Sequence, residues 1–185
     1  MSTIAPRIYK LRTGETVIIR GAIPDDAQAL LEHARTILTE DLYNIRILEE
    51  FQNTLEEEGQ WIQQHIDHPA QIVLVAELDS SIVGMLDIEN GVFKRTAHVG
   101  YFAMSVRPEF RGKGIGMALL QSLIDWAREN PVIEKLTLAV FATNQPAIAL
   151  YKKVGFRQEG RRVREIKIAE GKYVDDILMY RFVKG

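Results

Sequence analysis

The sequence predicts an α/β (α+β) fold, in which helices flank a mixed, mostly antiparallel central sheet of about seven strands. Two apolar runs on either side of residues 79–81 have the pattern of a β-hairpin, and two further runs flank a turn at residues 170–171. Between these hairpins lie segments whose apolar residues recur at helical spacing. The chain has 185 residues, and we expect residues 1–185 to form one domain with a sizeable core.

The amino-terminal half is predicted to begin with a strand and to continue with helices. Residues 16–20 are rich in β-branched side chains, which favours a strand. Residues 24–38 are predicted as a helix that begins near Pro24, because proline suits a first helical turn. Residues 42–51 and 55–66 are predicted as further helical segments, the second of which ends shortly before a proline.

Strands and helices alternate through the rest of the chain. Residues 71–78 and 82–89 form the predicted first hairpin, and residues 97–106 form a strand rich in β-branched and aromatic side chains. Ile115–Glu129 carries apolar residues on one helical face. The remaining predicted elements are a strand at 136–141, a helix that begins at residue 144, and strands at 156–168 and 173–182.

The most informative stretch is residues 111–116, Arg-Gly-Lys-Gly-Ile-Gly, between a predicted strand and the long helix. Its three glycines expose backbone N–H groups at a helix N-terminus, and the missing Cβ atoms allow oxygens to approach closely. These donors and the helix dipole together favour a phosphate group. The Arg111 guanidinium adds a charged fork for the same anion.

Other interpretations of this loop compete with a phosphate site of this kind. A Walker A loop needs Gly-x-x-x-x-Gly-Lys-Ser/Thr, which the chain lacks. A dinucleotide loop needs Gly-x-Gly-x-x-Gly; Gly112 and Gly114 fit, but Met117 stands at the third position. A plain strand-to-helix turn that uses glycine is the remaining alternative from the loop alone.

A second pattern lies at residues 144–156, Asn-Gln-Pro-Ala-Ile-Ala-Leu-Tyr-Lys-Lys-Val-Gly-Phe. Pro146 suits the first turn of a helix, and Gly155 suits the position just after its end. The residues that share one face of this helix are Ala147, Leu150, Tyr151 and Val154.

The two patterns together resemble the Gcn5-related N-acetyltransferase (GNAT) superfamily, including its bacterial ribosomal-protein, amino-acid and polyamine acetyltransferases. The family's acetyl-coenzyme A motif, Arg/Gln-x-x-Gly-x-Gly/Ala, is matched by Arg111, Gly114 and Gly116. The later motif, Asn-x-x-Ala-x-x-Leu-Tyr-x-x-x-Gly-Phe, is matched by Asn144, Ala147, Leu150, Tyr151, Gly155 and Phe156. The resemblance implies the GNAT fold, in which the fourth and fifth strands, here residues 97–106 and 136–141, splay apart.

The resemblance also implies a binding site for acetyl-coenzyme A as cosubstrate, with no metal. The pantetheine arm would lie in the gap between the splayed strands, against the backbone of Met104, Ser105 and Val106; side chains there could equally be ordinary core residues. The residues implied to surround the pyrophosphate are Arg111, Gly112, Lys113, Gly114, Ile115, Gly116 and Met117. Asn144 would hold the coenzyme, or would only cap its helix.

The implied reaction is direct transfer of the acetyl group to a primary amine within a ternary complex. The acceptor would be a small molecule, a protein N-terminus or a lysine. Tyr151 matches the family position that usually protonates the departing thiolate, although it could instead be a buried aromatic residue. A backbone N–H near residues 104–106 is the expected donor to the oxygen that gains negative charge. An amine of pKa about 10 must first lose a proton to a base or in a desolvating pocket.

The resemblance leaves the general base open. Ribosomal-type members place a glutamate five residues before the motif Asn, where this chain has Ala139. Histone-type members place their base thirteen residues before the motif Arg, and that position here is His98. His98 is our catalytic candidate, because histidine can relay a proton near neutral pH. Glu89 and Asp87, acting through water, are alternatives; any of the three could be only a polar surface residue.

Charged runs outside the motifs each have two interpretations. Residues 49–50 and 56–58 are acidic and could attract a cationic amine or form a solvated helix face. Basic residues between positions 161 and 167 could bind an acidic peptide or the coenzyme 3′-phosphate, or could protect an exposed sheet edge.

Composition narrows the classes of partner. The net charge of −2 gives no support for nucleic-acid binding. The chain has no cysteine, so a covalent route would depend on Ser105, and thiolate metal sites are excluded. Residues 1–10 lack the apolar core of a signal peptide, and no apolar run is long enough for a membrane span. We therefore expect a cytoplasmic protein that does not bind membranes.

The oligomeric state and the alternatives to an enzyme remain to be considered. Many family members dimerise, so we expect a homodimer. The main alternative to an enzyme is a non-catalytic acyl-coenzyme A sensor that keeps the fold, which the missing glutamate at position 139 favours and the retained Tyr151 disfavours. A nucleotide-binding module is a third interpretation, which the missing Walker and dinucleotide patterns disfavour.

Overall fold

The computed structural model describes residues 3–40 and 43–184. The helices are α1 (Ala27–Glu40), α2 (Leu55–Asp67), α3 (Ile115–Glu129) and α4 (Gln145–Lys153). The strands are β1 (Arg7–Lys10), β2 (Thr16–Gly21), β3 (Ile72–Leu78), β4 (Ser81–Asn90), β5 (Val99–Val106), β6 (Lys135–Phe141), β7 (Arg157–Ala169) and β8 (Lys172–Phe182). No helix within these described ranges is both long and apolar enough to cross a membrane.

These eight strands form one sheet in the order β1-β2-β3-β4-β5-β6-β8-β7. All neighbouring pairs are antiparallel except β5 and β6, which are parallel. Helix α3 makes the crossover between the two parallel strands, as this pairing requires. The predicted mixed, mostly antiparallel sheet flanked by helices is therefore confirmed.

Strands β5 and β6 separate soon after they begin. Their pairing runs only from Val99 opposite Lys135 to Tyr101 opposite Thr137, whereas β5 continues to Val106. The edge of residues 102–106 that faces β6 is consequently open, while the other edge stays bonded to β4. This separation is the predicted splay between the fourth and fifth predicted strands.

The two faces of the sheet are covered by different helices. The larger core lies under α3 and α4 and includes the fully buried Leu119 and Leu123. The smaller core lies under α1 and α2 and includes Leu30 and Ile62. Burial of these apolar stripes is the main force that holds the helices on the sheet.

Alternation along β4 sets which residues point to each face. Leu86 and Ile88 belong to the larger core under α3, so Met85, Asp87 and Glu89 point to the face that carries α1 and α2. The neighbours of these three residues on β5 are Ser105, Ala103 and Tyr101, respectively. The open edge of β5 can therefore be approached from both faces of the sheet.

The helix predicted at residues 42–51 is wrong. Residue 42 lies outside the described residues, and residues 43–51 contain only a 3₁₀ turn at Leu48–Glu50. The segment exposes apolar side chains such as Ile45, which is 78% exposed, so it has no apolar face buried against a partner. A short helix without such burial is not stable in water.

Two smaller differences concern strands. The sheet has an eighth strand, β1, which pairs with β2 but is only four residues long and was not predicted. The strand predicted from residue 97 starts instead at Val99, and His98 lies in the preceding turn. Backbone N–H groups of Glu134 and Lys135 donate to the His98 carbonyl, which fixes this turn beside β6.

Candidate functional site

A cleft of about 480 Å³ runs along the open edge of β5, between the N-terminus of α3 and helix α4. We call it the edge cleft. The predicted site residues that line it are Met104, Ser105, Val106, Arg111, Gly112, Gly114, Ile115, Gly116, Met117, Asn144 and Tyr151. The structure thus brings together residues from both sequence motifs. Lys113 and His98 do not line it.

The floor of the edge cleft is the N-terminus of α3. Gly114 is its N-cap with φ of 110°, a conformation that glycine adopts without strain, and no side chain caps the helix. Ala118 donates to the Gly114 carbonyl, and the N–H groups before it begin the helix without an intrahelical acceptor. These donors and the positive end of the helix dipole form an anion site.

Gly116 allows the helix to approach the cleft wall closely. A Cβ atom at this position would lie 3.1 Å from Leu150 Cδ2 and 3.5 Å from Met104 Cε. Both side chains belong to the cleft lining, so any larger residue would narrow the cleft.

Arg111 lies at the mouth of the cleft with its guanidinium already bonded. Its two terminal nitrogens donate to Glu40 Oε1 at 2.7 Å and Glu40 Oε2 at 2.5 Å, and Nε donates to the Val106 carbonyl at 3.0 Å. Glu40, at the end of α1, also lines the cleft. A phosphate that bound to Arg111 would therefore have to compete with the Glu40 carboxylate.

Two further cations line the edge cleft and were not identified in the sequence. Arg12 comes from the turn between β1 and β2, and its backbone N–H donates to the Lys113 carbonyl at 3.2 Å. Lys153 comes from the end of α4. The Lys113 side chain turns away, with Nζ over the Phe110 ring and 3.9 Å from a Glu15 carboxylate oxygen. No sequence motif links Arg12 or Lys153 to the glycine loop.

Tyr151 lies on α4 at the inner end of the cleft. Its ring is 7% exposed and packs edge-on against Phe102 and Phe156, with centroids 6.0 Å from each. The hydroxyl has no hydrogen-bond partner among the described residues. Burial raises the pKa of Tyr151 to about 12, so the phenol keeps its proton at neutral pH.

Asn144 caps α4. Its Oδ1 accepts a hydrogen bond of 3.3 Å from the Ala147 backbone N–H, and the residue also lines the edge cleft. The N-cap role is thus present whether or not Asn144 also contacts a ligand.

Ser105 joins the open strand to α1. Its Oγ lies 2.8 Å from His33 Nε2, and His33 is 1% exposed. Burial and the nearby Arg107 charge lower the pKa of His33 to about 4, so the ring is neutral at physiological pH. His33 Nδ1 is buried without a hydrogen-bond partner among the described residues. This contact ties Ser105 to helix α1.

A second cavity, of about 580 Å³, opens in the splay on the face that carries α1 and α2. We call it the carboxylate cavity. Asp87 and Glu89 of β4, Ala139 of β6 and Arg162 of β7 line it. Burial and the Glu89 charge raise the pKa of Asp87 to about 7. Asp87 is therefore suited to accept and release a proton near neutral pH.

His98 lines neither the edge cleft nor the carboxylate cavity. It precedes β5, whereas Met104 and Ser105 lie near the other end of that strand, about 20 Å away at the usual rise per residue. Asp87 pairs in register with Ala103, directly beside these residues. Of the three predicted base candidates, Asp87 and Glu89 are thus the ones that the fold places in the splay.

Comparison with known proteins agrees with this geometry. The sequence profile described as "Acetyltransferase (GNAT) family" matches residues 29–156. The L-amino acid N-acetyltransferase AaaT of Escherichia coli K12 is 31% identical over 160 residues, which cover 84% of this chain and 98% of that protein. This chain belongs to the GNAT family of acetyltransferases.

Solved structures have the same fold. A GNAT-family acetyltransferase from Streptococcus pneumoniae has a TM-score of 0.86 and 30% identity, covering 91% of this chain and 99% of that one. The acetyltransferase yncA of Salmonella typhimurium, solved with acetyl-coenzyme A, has a TM-score of 0.81 at 20% identity and covers 91% of this chain and 95% of that one. This family uses acetyl-coenzyme A as acetyl donor. Within the described residues, no group of three or more His, Cys, Asp or Glu side chains could hold a metal ion.

Proposed function

We propose that this protein transfers the acetyl group of acetyl-coenzyme A directly to a primary amine within a ternary complex. The observation that carries this proposal is the open edge of β5. The edge cleft, with its free backbone N–H groups and Tyr151, lies on one face of this edge, and the carboxylate cavity with Asp87 lies on the other. Two reactants can therefore meet at the same short stretch of strand without sharing a pocket.

The edge cleft fits the donor substrate in both shape and charge. Free backbone groups along residues 102–106 suit the amide groups of the pantetheine arm, and the N-terminus of α3 suits the pyrophosphate. Arg12, Arg111 and Lys153 supply positive charge around the phosphates. A Cβ atom at position 116 would narrow the edge cleft beside Leu150 and Met104, where the coenzyme would pass.

Proton transfer is assigned to two residues on opposite faces of the sheet. The amine enters the carboxylate cavity as an ammonium ion and gives one proton to the Asp87 carboxylate, directly or through water. Its nitrogen then forms a bond to the acetyl carbonyl carbon as the carbon–sulfur bond breaks, and Tyr151 donates its proton to the departing sulfur. The new amide nitrogen loses its second proton through water to the Tyr151 phenolate, and Asp87 releases the proton that it accepted to solvent.

The backbone of β5 is proposed to stabilise the charge that develops on the carbonyl oxygen. Donors fixed before the reaction lower the barrier because they need no reorganisation. The hydrogen bond between Ser105 and His33 holds this part of the strand in place. This route needs no covalent acyl-serine and no metal.

Asp87 is proposed as the base in preference to His98. It lines the cavity and has a pKa near 7, whereas His98 lies outside both cavities. We extend the proposal to a single catalytic domain that acts in the cytoplasm. On the basis of the family resemblance, we also propose that it acts as a homodimer. A non-catalytic acyl-coenzyme A sensor is the competing function.

The test is release of free coenzyme A thiol from acetyl-coenzyme A across a panel of amines. The panel contains ribosomal N-terminal peptides, an L-amino acid, an aliphatic diamine and an aminoglycoside, and each product is checked by mass. Thiol release in equal amount to one acetylated product would support the enzyme. Tight acetyl-coenzyme A binding without transfer to any of these amines would support the sensor.

A further inference from the structure

Three carboxylates lie near one another on the face of the sheet that carries α1 and α2. Asp87 and Glu89 lie on β4, and Glu58 of α2 is close enough for its charge to raise the pKa of Asp87. Glu58 is 7% exposed and accepts a hydrogen bond of 3.3 Å from Asn53 Nδ2. Residues 58, 87 and 89 are called the acidic tract below.

The acidic tract lacks balancing cations. None of its carboxylates forms an ion pair with a lysine or arginine of the described residues. Burial raises the pKa of Glu58, and the nearby Arg46 charge offsets only part of this effect. The Arg46 guanidinium instead donates to the Glu50 carbonyl and lies over the Phe51 ring. Burying negative charge without a partner is costly, so the tract favours a cationic ligand.

His65 adds a buried nitrogen next to Glu89 that is unpartnered within the described part of the chain. It is 3% exposed, and its Nδ1 lies 2.9 Å from the Trp61 carbonyl, which requires Nδ1 to carry the proton. Nε2 is buried without a hydrogen-bond partner among the described residues and lies 3.9 Å from Glu89 Oε1. Burial lowers the pKa of His65, so the neutral ring presents Nε2 as an acceptor towards the Glu89 carboxylate, whose side chain is 61% exposed.

A third cavity extends the acidic tract away from the splay. It has a volume of about 660 Å³ and is lined by Glu58, Met85 and the aromatic residues Phe51 and Trp61, among others. Met85 lies two residues before Asp87 on the same face of β4, a separation of about 7 Å. A carboxylate beside aromatic rings suits an alkylammonium group, because the rings attract both the charge and the methylene groups.

The two cationic side chains that line the carboxylate cavity, Lys135 and Arg162, already lie close to carboxylates of the protein. Lys135 Nζ donates to Glu159 Oε1 at 2.6 Å. The Arg162 guanidinium lies 3.8 Å from Asp176 and 3.7 Å from Glu165. A ligand carboxylate would therefore have to displace a carboxylate that already pairs with Lys135 or Arg162. A second ammonium group of the ligand would instead meet Glu58, which forms no ion pair with a lysine or arginine of the described residues.

We propose that the acceptor is a small molecule with two amino groups separated by three or four methylene groups, bound by Asp87 at one end and Glu58 at the other. This inference rests on the proposed acetyltransferase function and adds the substrate class. The reacting amine lies at Asp87 in the splay, and the second ammonium lies in the third cavity beside Trp61.

The test compares three acceptors with the same four-carbon chain: n-butylamine, 1,4-diaminobutane and 4-aminobutanoate. We expect kcat/KM from thiol release to be about tenfold higher for the diamine than for the monoamine, as one charge-assisted contact supplies. The two equivalent amines of the diamine account for only about twofold of this on statistical grounds. The 4-aminobutanoate should be the poorest acceptor, and equal or higher activity with it or with n-butylamine would overturn the proposal.

Variants then locate the second contact. Glu58→Gln keeps the size of the side chain and should reduce the diamine-to-monoamine ratio to about the statistical value. The control is Glu56→Gln, which removes an exposed charge from the same helix outside the cavity and should leave that ratio unchanged. An unchanged ratio in Glu58→Gln would show that the second ammonium does not bind there.

Absence of transfer to all three acceptors would count against the proposed enzyme but would still allow the acidic tract to be tested. Calorimetry with 1,4-diaminobutane and n-butylamine, in the presence of coenzyme A, measures binding alone. Tighter binding of the diamine than of the monoamine, lost in Glu58→Gln, would support the diamine site even without acetyl transfer. Equal binding of the two amines would overturn it.

Discussion

At the scale of single residues, Tyr151 has the clearest assigned role, because burial keeps its phenol protonated beside the cleft. We expect Tyr151→Phe to lower kcat by about 100-fold, the usual contribution of a general acid. The affinity of the Tyr151→Phe variant for acetyl-coenzyme A, measured by calorimetry, should differ little from that of the wild type because the aromatic ring remains. Tyr9→Phe is the control, since the Tyr9 hydroxyl bonds to Ser122 away from the cleft. An unchanged kcat in Tyr151→Phe would remove this residue from the mechanism.

As the proposed base, Asp87 should make the reaction depend on pH. Burial and the charges of Glu89 and Glu58 raise its pKa to about 7, and only the ionised carboxylate can accept a proton. We therefore expect kcat/KM to rise with pH up to about 7 and then to level off until other groups titrate. In Asp87→Asn the activity should fall by about 100-fold and this rise should disappear.

The matched control for this pH dependence is His98→Ala. The His98 side chain lies outside both cavities, so its removal should leave the midpoint near pH 7 in place. A midpoint that moved in His98→Ala, but not in Asp87→Asn, would reverse the assignment of the base.

Arg111 and Glu40 are expected to act as competitors at the mouth of the edge cleft. Glu40 holds both terminal nitrogens of the Arg111 guanidinium, the same groups that would bind phosphate. Glu40→Gln should therefore tighten acetyl-coenzyme A binding severalfold, and Arg111→Gln should weaken it. The dissociation constant at two salt concentrations measures both effects, because contacts to phosphate weaken with salt. Weaker binding in Glu40→Gln would mean that Glu40 instead positions Arg111 for the ligand.

The candidate site residues that the sequence predicts belong to short motifs. The glycine loop and the later helix carry their own local signals, and the structure brings them together in the edge cleft. Arg12 and Glu40 carry no local signal; they reach the cleft because the β1–β2 turn and the end of α1 pack against it. The His33–Ser105 contact spans 72 residues of sequence and follows from the same packing.

At the scale of elements, the N-terminus of α3 is the part most sensitive to added volume. Gly116→Ala places a methyl group 3.1 Å from Leu150 Cδ2, inside the cleft lining. We expect affinity for acetyl-coenzyme A to fall by about tenfold, the usual effect of one misplaced carbon in a fitted pocket. Gly59→Ala is the control, because a Cβ at residue 59 meets nothing within 4 Å.

The two glycine variants should differ in stability as well as in binding. Gly59→Ala should raise the free energy of unfolding by up to about 1 kcal/mol, since alanine favours a helix interior, and should leave acetyl-coenzyme A binding unchanged. Chemical denaturation measures the first quantity and calorimetry the second. Equal acetyl-coenzyme A affinity in Gly116→Ala and the wild type would show that the ligand does not approach α3 at this point.

Elements with a strong periodic pattern were predicted well, and those without one were not. The sequence predicts helix α3 at its observed bounds because its apolar residues recur at helical spacing, and nine of its residues are buried. Strand β1 has only four residues, and it forms because β2 offers it a paired edge. The segment at 43–51 has apolar residues but no surface to bury them against, which its sequence does not reveal.

At the scale of the whole molecule, the proposed function depends on the splay between β5 and β6. The crossover through α3 covers one face with a large core, while α1 and α2 leave the acidic cavities on the other face. In the proposed mechanism the same strand binds both substrates, and neither has to leave before the other binds. The family resemblance predicts the splay, but the composition of its acidic face depends on how α1 and α2 pack on the sheet.

A crystal structure of the protein with acetyl-coenzyme A would test this arrangement most directly. We expect the pantetheine arm along residues 102–106 of β5, the pyrophosphate on the N-terminus of α3, and the thioester sulfur near the Tyr151 hydroxyl with its carbonyl open towards Asp87. Acetyl-coenzyme A bound outside the edge cleft, or with its thioester closed off from the carboxylate cavity, would contradict the proposed mechanism.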